Sequence, residues 1–405
     1  MKRRDFLEAA GLTTLAGIGV ETAGRRIGGV ISPSPVNAAN PPSAAHSRIA
    51  SPSAKASAKR IFSKVKASPD RAIRMVAGLR PFRASGFVVR ADKLDDKTVI
   101  HNYGHGGGGL TLSWGAAHLA VDEALKTGQT RFAVLGCGAN GLATARLLQR
   151  RGFEVTMYAR DLPFSLELTS GKEVTPQLTS SIAAGQWSPS MVFDRSHATP
   201  RFRDQYERAL RLAFRYFQDL VGDYYGVRWI ENYSLGTDAP AQQVHPGEFE
   251  ALLPEVRDMT PEEHPFPFPY VHRFTSMVIE PPVYLSAVMR DFQIAGGKIA
   301  VREFGDVREV ISLPEPVVMN CTGLGARALF QDEELTPVKG QLTVLLPQPE
   351  IDYVTLMGDL YMVPRKDGIV LGGTHEQGIW TLEPNRAAAR SIMSAHMKLF
   401  ADMRS

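Results

Sequence analysis

Three glycines at G-x-G-x-x-G spacing, Gly136, Gly138 and Gly141, stand between two contrasting segments. Before them Arg131-Phe-Ala-Val-Leu135 reads as a short buried strand; after them Asn140 to Arg151 has helical composition. Strand, tight turn and helix in that order make the opening of a doubly wound dinucleotide-binding unit. The glycines let the backbone turn and approach a pyrophosphate, which rests on the positive end of the helix. The expected lining is therefore Gly136, Gly138, Ala139, Asn140 and Gly141. A second strand, Glu154-Val-Thr-Met-Tyr158, ends near Arg160 and Asp161, where the fingerprint needs an acid for the ribose.

A chain of 405 residues can hold two domains with real cores, and 44% hydrophobic with 22% charged residues is globular composition. The net charge of +4 is unevenly spread. Residues 1–80 carry 14 Lys/Arg and 4 Asp/Glu, leaving 32 against 38 for the remainder. The folded body is mildly acidic, which argues against a nucleic-acid partner. The basic start contains Lys2-Arg3-Arg4-Asp5-Phe6-Leu7, a weakly apolar run from Ala9 to Val20 and a small-residue cleavage pattern at Val36-Asn37-Ala38. Residues 1–38 are thus expected to be a twin-arginine export signal, with a periplasmic or secreted product. The apolar run is too short for a stable transmembrane span. Residues 39–78, rich at first in Ser, Ala and Pro, read as a linker. The only cysteines, Cys137 and Cys321, supply no disulfide framework and are expected to pack as small side chains.

A second glycine cluster, His101-Asn-Tyr-Gly-His-Gly-Gly-Gly-Gly109, leads into Leu110-Thr-Leu-Ser-Trp-Gly115 and a helix to Leu125. With Arg80-Pro-Phe-Arg83 upstream, this string closely resembles the C-terminal signature of the D-amino acid oxidase and D-aspartate oxidase family. Further segments agree: Ala159-Arg-Asp-Leu-Pro163, Ala183-Ala-Gly-Gln-Trp187, Asn320-Cys-Thr-Gly323, Gly340-Gln341, Tyr361-Met-Val-Pro-Arg365, and Gly372-Gly-Thr374 through Trp380. The resemblance covers roughly residues 72–405. It implies FAD as cofactor and an α+β fold, a Rossmann-type FAD-binding domain interleaved with a mixed β-sheet substrate domain. The expected partition is 79–190 with 271–338 for FAD and 191–270 with 339–405 for substrate. One departure is topological. In the family the RPxR and HNYGHGG segments come last, whereas here they precede the Rossmann strand, the pattern of a circular permutation. The join, Lys126-Thr-Gly-Gln-Thr130, can span at most roughly 3.3–3.6 Å per residue.

The resemblance also implies chemistry. A flavin amine oxidase needs an exposed flavin N5, a cation for the substrate carboxylate and acceptors for the amino group; geometry and electrostatics supply most of the rate. By resemblance Arg80 holds the carboxylate through its planar fork, Tyr361 donates to the same carboxylate, and the carbonyl of Gly107 accepts from the substrate amine. Gly106, Gly108, Gly109, Leu110 and Thr111 would border the flavin's pyrimidine edge. Ala184, Gly185, Gln186 and Thr322 would form its other contacts. The expected reaction converts a D-amino acid by hydride transfer to a 2-oxo acid, ammonia and peroxide, with oxygen or a respiratory acceptor receiving the electrons. The assembly stays open, a homodimer among the expectations.

The lid from Asp352 to Leu360 is shorter than in vertebrate members, with Met357 and Asp359 where an additional tyrosine would stand. His375 lies where D-aspartate oxidases have an arginine; it either favours an acidic side chain when protonated or merely lines the pocket. A D-aspartate oxidase, another amine-oxidising flavoprotein, and a non-catalytic FAD-binding protein are the alternatives, with a nicotinamide-dependent dehydrogenase third. His101 and His105 share no helical face, and no metal is expected. Phe202 to Val221 predicts an amphipathic helix with Phe202, Tyr206, Phe214 and Phe217 in the core. His264-Pro-Phe-Pro-Phe-Pro269 predicts a stiff loop, bordering the pocket or serving as a plain connector.

Overall fold

The computed structural model describes residues 60–163, 178–238 and 247–404. The twin-arginine segment lies outside them. The order of elements is β1 (Ala72–Phe82), β2 (Val88–Leu94), β3 (Lys97–Tyr103), α1 (Gly109–Leu125), β4 (Arg131–Leu135), α2 (Ala139–Arg150) and β5 (Glu154–Ala159). There follow α3 (Pro200–Asp219), β6 (Val227–Gly236), β7 (Arg257–Met259), β8 (Tyr270–Ile279), α4 (Pro281–Ile294) and β9 (Lys298–Val301). The last part comprises α5 (Val307–Ile311), β10 (Val317–Asn320), α6 (Gly325–Leu329), β11 (Thr336–Leu345), β12 (Tyr353–Met357), β13 (Leu360–Arg365), β14 (Gly368–Gly372), β15 (Glu376–Gln377) and α7 (Arg386–Ala401).

These strands form two sheets. The smaller runs β2-β3-β10-β4-β5-β9 and is parallel from β3 to β9, with β2 antiparallel at one edge. Phe132, Ala133, Val134 and Leu135 of β4 are all fully buried, as a parallel strand covered on both faces requires. The larger runs β1-β11-β14-β13-β12-β6-β8-β7, with β15 also on β11; only the β12–β6 pair is parallel. Along the chain the strands alternate between sheets: β1 in the larger, β2–β5 in the smaller, β6–β8 in the larger, β9 and β10 in the smaller, the rest in the larger. One hydrophobic core joins Phe132 and Leu142 of the Rossmann half to Val344, Val354 and Val370 of the other sheet. The α+β architecture with interleaved halves is therefore as the motifs imply.

The partition differs at three places. Residues 62–78 are not linker: Val65 is buried in a second core with Tyr233, Phe266 and Tyr353, and β1 begins at Ala72. The start of the expected FAD domain, residues 79–82, continues β1, whose pairing with β11 runs to Phe82↔Thr336. The expected return at residue 271 falls within β8, which pairs with β6 along its whole length. Backbone pairing, which composition does not encode, sets these boundaries.

Local signals behave as their chemistry dictates. Thr199 caps α3 by accepting from the Phe202 amide, Pro200 fills the first turn, and Phe202, Tyr206 and Phe217 are buried while Phe214 is only partly so. Cys137 and Cys321 are free and buried, and burial pushes both thiols up to about 12. His264 and Phe266 pack with the second core beside the chain's end, where the Arg404 amide donates to Pro265. At that end Lys64 Nζ donates to the Met403 carbonyl at 2.5 Å, so the first and last described segments meet. Among the described residues no helix is long and apolar enough to cross a membrane.

Candidate active site

Gly136 turns the chain out of β4 with φ +98°; a Cβ there would lie 2.5 Å from the Cys321 carbonyl, and one on Gly141 only 1.9 Å from the Gly136 carbonyl. No other residue type fits this turn. It delivers the chain into α2, whose N-terminal end is the place for a pyrophosphate. Gly138 is extended as N-cap, and the Ala139 amide donates to Ser180 Oγ at 3.1 Å. Asn140 Oδ1 and Ser181 Oγ are buried without a hydrogen-bond partner among the described residues, the pattern a polar ligand would satisfy. Thr322 flanks the turn from β10's end, its hydroxyl on Asn320 Oδ1 at 2.7 Å. At the end of β5, Arg160 pairs with Asp161 (2.8 Å) and Glu303 (3.1 Å), so the expected ribose acid already shares one oxygen with its neighbour.

The second glycine loop lies against the first. Asn140 Nδ2 donates to the Gly109 carbonyl at 3.3 Å, joining the two clusters across 31 residues of sequence. The Gly107 amide donates to the Met191 carbonyl and that of Gly108 to His105. Gly106 and Gly108 are buried and Leu110 packs in the core. The Thr111 hydroxyl donates to the Ser188 carbonyl (2.8 Å) and accepts from its amide (3.1 Å). Only its backbone is left for a cofactor. The segment Ala184-Gly185-Gln186 runs along the edge of β8 and β6: Ile279 N donates to Gly185 O, Trp187 N to Met277 O, and Gln186 Nε2 to Asn232 Oδ1 of β6 at 2.8 Å.

His105 stacks on Phe87 with centroids 4.6 Å apart, and burial holds it down at about 3, hence neutral. His101 bonds Asn320 at 3.0 Å and meets Asp92 at 3.2 Å. Both histidines are packed rather than convergent. No group of three or more His, Cys, Asp or Glu among the described residues is arranged to hold a metal.

The residues expected to hold the substrate carboxylate converge on β1. Phe82 bridges to His105, which ties this strand to the second glycine loop, and Arg80 lies two residues earlier on the same face. Arg80 extends over Gly340, where any Cβ would come within 2.3 Å of Nη1, and donates from Nη1 to the Thr374 carbonyl at 3.0 Å. Among the described residues no carboxylate pairs with it. Arg83 is the opposite case, held by Asp332 at 2.8 Å and Glu334 at 2.6 Å. Tyr361 of β13 lies over Gly372 and Gly373 and interacts with Arg80; burial raises its hydroxyl while the guanidinium draws it down. The structure thus brings Arg80 and Tyr361 together and links Gly107 to them through the Phe82–His105 bridge.

His375, next to Thr374, is 3.5 Å from Asp359. Burial and then Arg80 pull it down to about 4 against the attraction of Asp359. Burial and Arg80 thus work against the protonated form that the acidic-side-chain role of His375 needs.

Two groups escaped motif reading. Ser180 brings its hydroxyl onto the glycine turn, while its neighbour Thr179 donates to Leu79 O of β1 at 2.8 Å. Their signal is the Thr-Ser-Ser run immediately before Ile182-Ala-Ala-Gly-Gln186. Arg365 pairs with Asp367 and donates to the Ala183 carbonyl at 3.0 Å, bracing the flavin-side loop from the large sheet.

A Rossmann turn that admits only glycine, a second glycine loop bonded to it, and unpartnered polar atoms beside both define a flavoprotein that takes FAD. The chain belongs to the FAD dependent oxidoreductase family, a sequence model of which matches residues 16–123 and 131–404. It is 33% identical over 273 residues to a D-amino-acid oxidase of Rubrobacter xylanophilus, covering 65% of this chain and 75% of that one. It is 30% identical over 269 residues to the D-aspartate oxidase of Homo sapiens, covering 65% and 74%. Among solved structures, glycine oxidase from Geobacillus kaustophilus is similar at 17% identity and a TM-score of 0.47, covering 68% of this chain and 79% of that one.

Proposed function

We propose that the protein oxidises D-amino acids to 2-oxo acids and ammonia. The observation that carries this reading is Arg80: a guanidinium with no carboxylate partner among the described residues, beside the Tyr361 hydroxyl, on a strand bridged to the flavin-side glycine loop. A bidentate carboxylate satisfies such a group. Bound FAD supplies the two-electron acceptor for the hydride leaving the substrate α-carbon. Arg80 and Tyr361, both on the large sheet, fix the carboxylate, and the Gly107 carbonyl, in the turn after the His105 bridge to β1, receives the amine, so orientation supplies the main effect. The relatives named as D-amino-acid and D-aspartate oxidases support the D configuration.

An anaerobic absorbance spectrum of the purified holoprotein, before and after D- and L-amino acids, tests this. Bleaching of the oxidised flavin band by D-isomers alone is expected; bleaching by L-isomers alone, or by neither, overturns it. We further propose export through the twin-arginine route, supported by Arg3-Arg4 and the apolar run that follows. Replacing both arginines with lysine should retain the precursor in the cytoplasm, and unchanged export rejects the route. Oxygen or a respiratory acceptor would then reoxidise the flavin outside the cytoplasm.

A further inference from the structure

β12 and β13 meet in a tight turn, Met357↔Leu360, in which Gly358 takes φ +59° and Asp359 follows at the tip. Asp359 stands two residues before Tyr361. Its Oδ1 is 3.5 Å from His375 Nδ1, and the residue before His375 is Thr374, whose carbonyl receives Arg80. Across one edge of the site the groups therefore run guanidinium, imidazole, carboxylate. Among the described residues no Lys or Arg lies within ion-pair range of Asp359, and its side chain is 39% exposed. The Asp359 carboxylate at this edge is therefore left without a fixed cation in contact with it among the described residues.

Resting on the D-amino acid reading above, we propose that Asp359 is a specificity-determining residue that selects substrates whose side chain ends in a cation, such as D-lysine or D-arginine. With the α-carboxylate on Arg80, a four-carbon ammonium or a guanidinium side chain running past His375 brings its charge onto Asp359. A shorter anionic side chain would meet a like charge instead. His375 does not reverse this at neutral pH, because burial and Arg80 keep it uncharged.

The experiment compares kcat/KM of the holoenzyme for D-lysine and D-norleucine, which match in length and differ in charge, with D-alanine and D-aspartate as references. The wild type should favour D-lysine over D-norleucine by about fivefold, the size of a partly exposed ion pair, and should disfavour D-aspartate. Added salt should narrow the preference. Asp359→Asn should bring the D-lysine to D-norleucine ratio near one and Asp359→Glu should restore it. A purely structural role would lower both substrates alike and leave the ratio unmoved. Turnover of D-alanine with no charge preference, or an Asp359→Asn ratio equal to wild type, overturns the inference while the D-amino acid reading stands. No turnover of any D-amino acid removes both.

Discussion

The two ends of the cofactor cleft are built by opposite means. The phosphate end is a matter of backbone: Gly136, Gly138 and Gly141 within six residues, an α2 amide on Ser180, and a turn that no Cβ can enter. The end we propose for the substrate is a matter of side chains gathered from afar. Arg80 comes from β1, Tyr361 from β13, Asp359 from the turn before it and His375 from the segment after β14. The glycines there serve as floors, Gly340 beneath Arg80 and Gly372 beneath Tyr361. A local turn can bind a phosphate wherever strand and helix meet; a carboxylate clamp exists only if a nine-stranded sheet is in register. Substitutions at the two ends should accordingly move different observables.

The largest effect is expected at Arg80. Arg80→Ala should lower kcat/KM by about 100-fold or more, the penalty for leaving a bound carboxylate without its charged partner, with FAD content unchanged. Arg80→Lys should recover only part, because a point charge lacks the fork. Arg83→Ala sharpens the contrast within one tetrapeptide. Its ion pair with Asp332 has both side chains largely buried, at 14% and 12% exposure, so its loss should cost about 3 kcal/mol of stability and little in KM. Steady-state kinetics and thermal unfolding, run on both variants, separate the roles. Equal KM shifts would abolish the distinction.

The same contrast decides what could be read before any coordinates. The glycine turn was legible because its cause is local: strand, φ > 0 glycine and helix are consecutive, and spacing alone carries the chemistry. α3 was legible for the same reason, with its cap, proline and apolar stripe all in one stretch. The motifs Arg80-Pro-Phe-Arg83 and Tyr361-Met-Val-Pro-Arg365 could be recognised, yet nothing in them says that Arg80 meets no carboxylate among the described residues while Arg83 is held by Asp332 and Glu334. That division comes from pairing across more than 200 residues. The folded stretch 62–71 was missed because its anchors, Tyr233, Phe266 and Tyr353, lie in remote segments. The electrostatic state of His375 was open for a related reason: it depends on burial in the folded chain, then on Arg80 and Asp359, neither of them near it in sequence.

The smallest effect expected is at Ser180, and it probes the phosphate end. Its hydroxyl accepts from the Ala139 amide at 3.1 Å, at the first residue of α2. Ser180→Ala removes one polar group from a cradle that keeps its helix terminus, glycines and the neighbouring Ser181 hydroxyl. The remaining amides can still carry a pyrophosphate, so the loss should be that of one hydrogen bond, about 1 kcal/mol or roughly fivefold in the FAD dissociation constant. Fluorescence titration of the apoprotein with FAD measures this, and KM for the amino acid at saturating FAD should stay within about twofold. If Ser180→Ala instead shifts KM and leaves FAD affinity alone, the Thr179–Ser181 hydroxyls serve the substrate end, and the division of labour between backbone and side chains fails where the two ends meet.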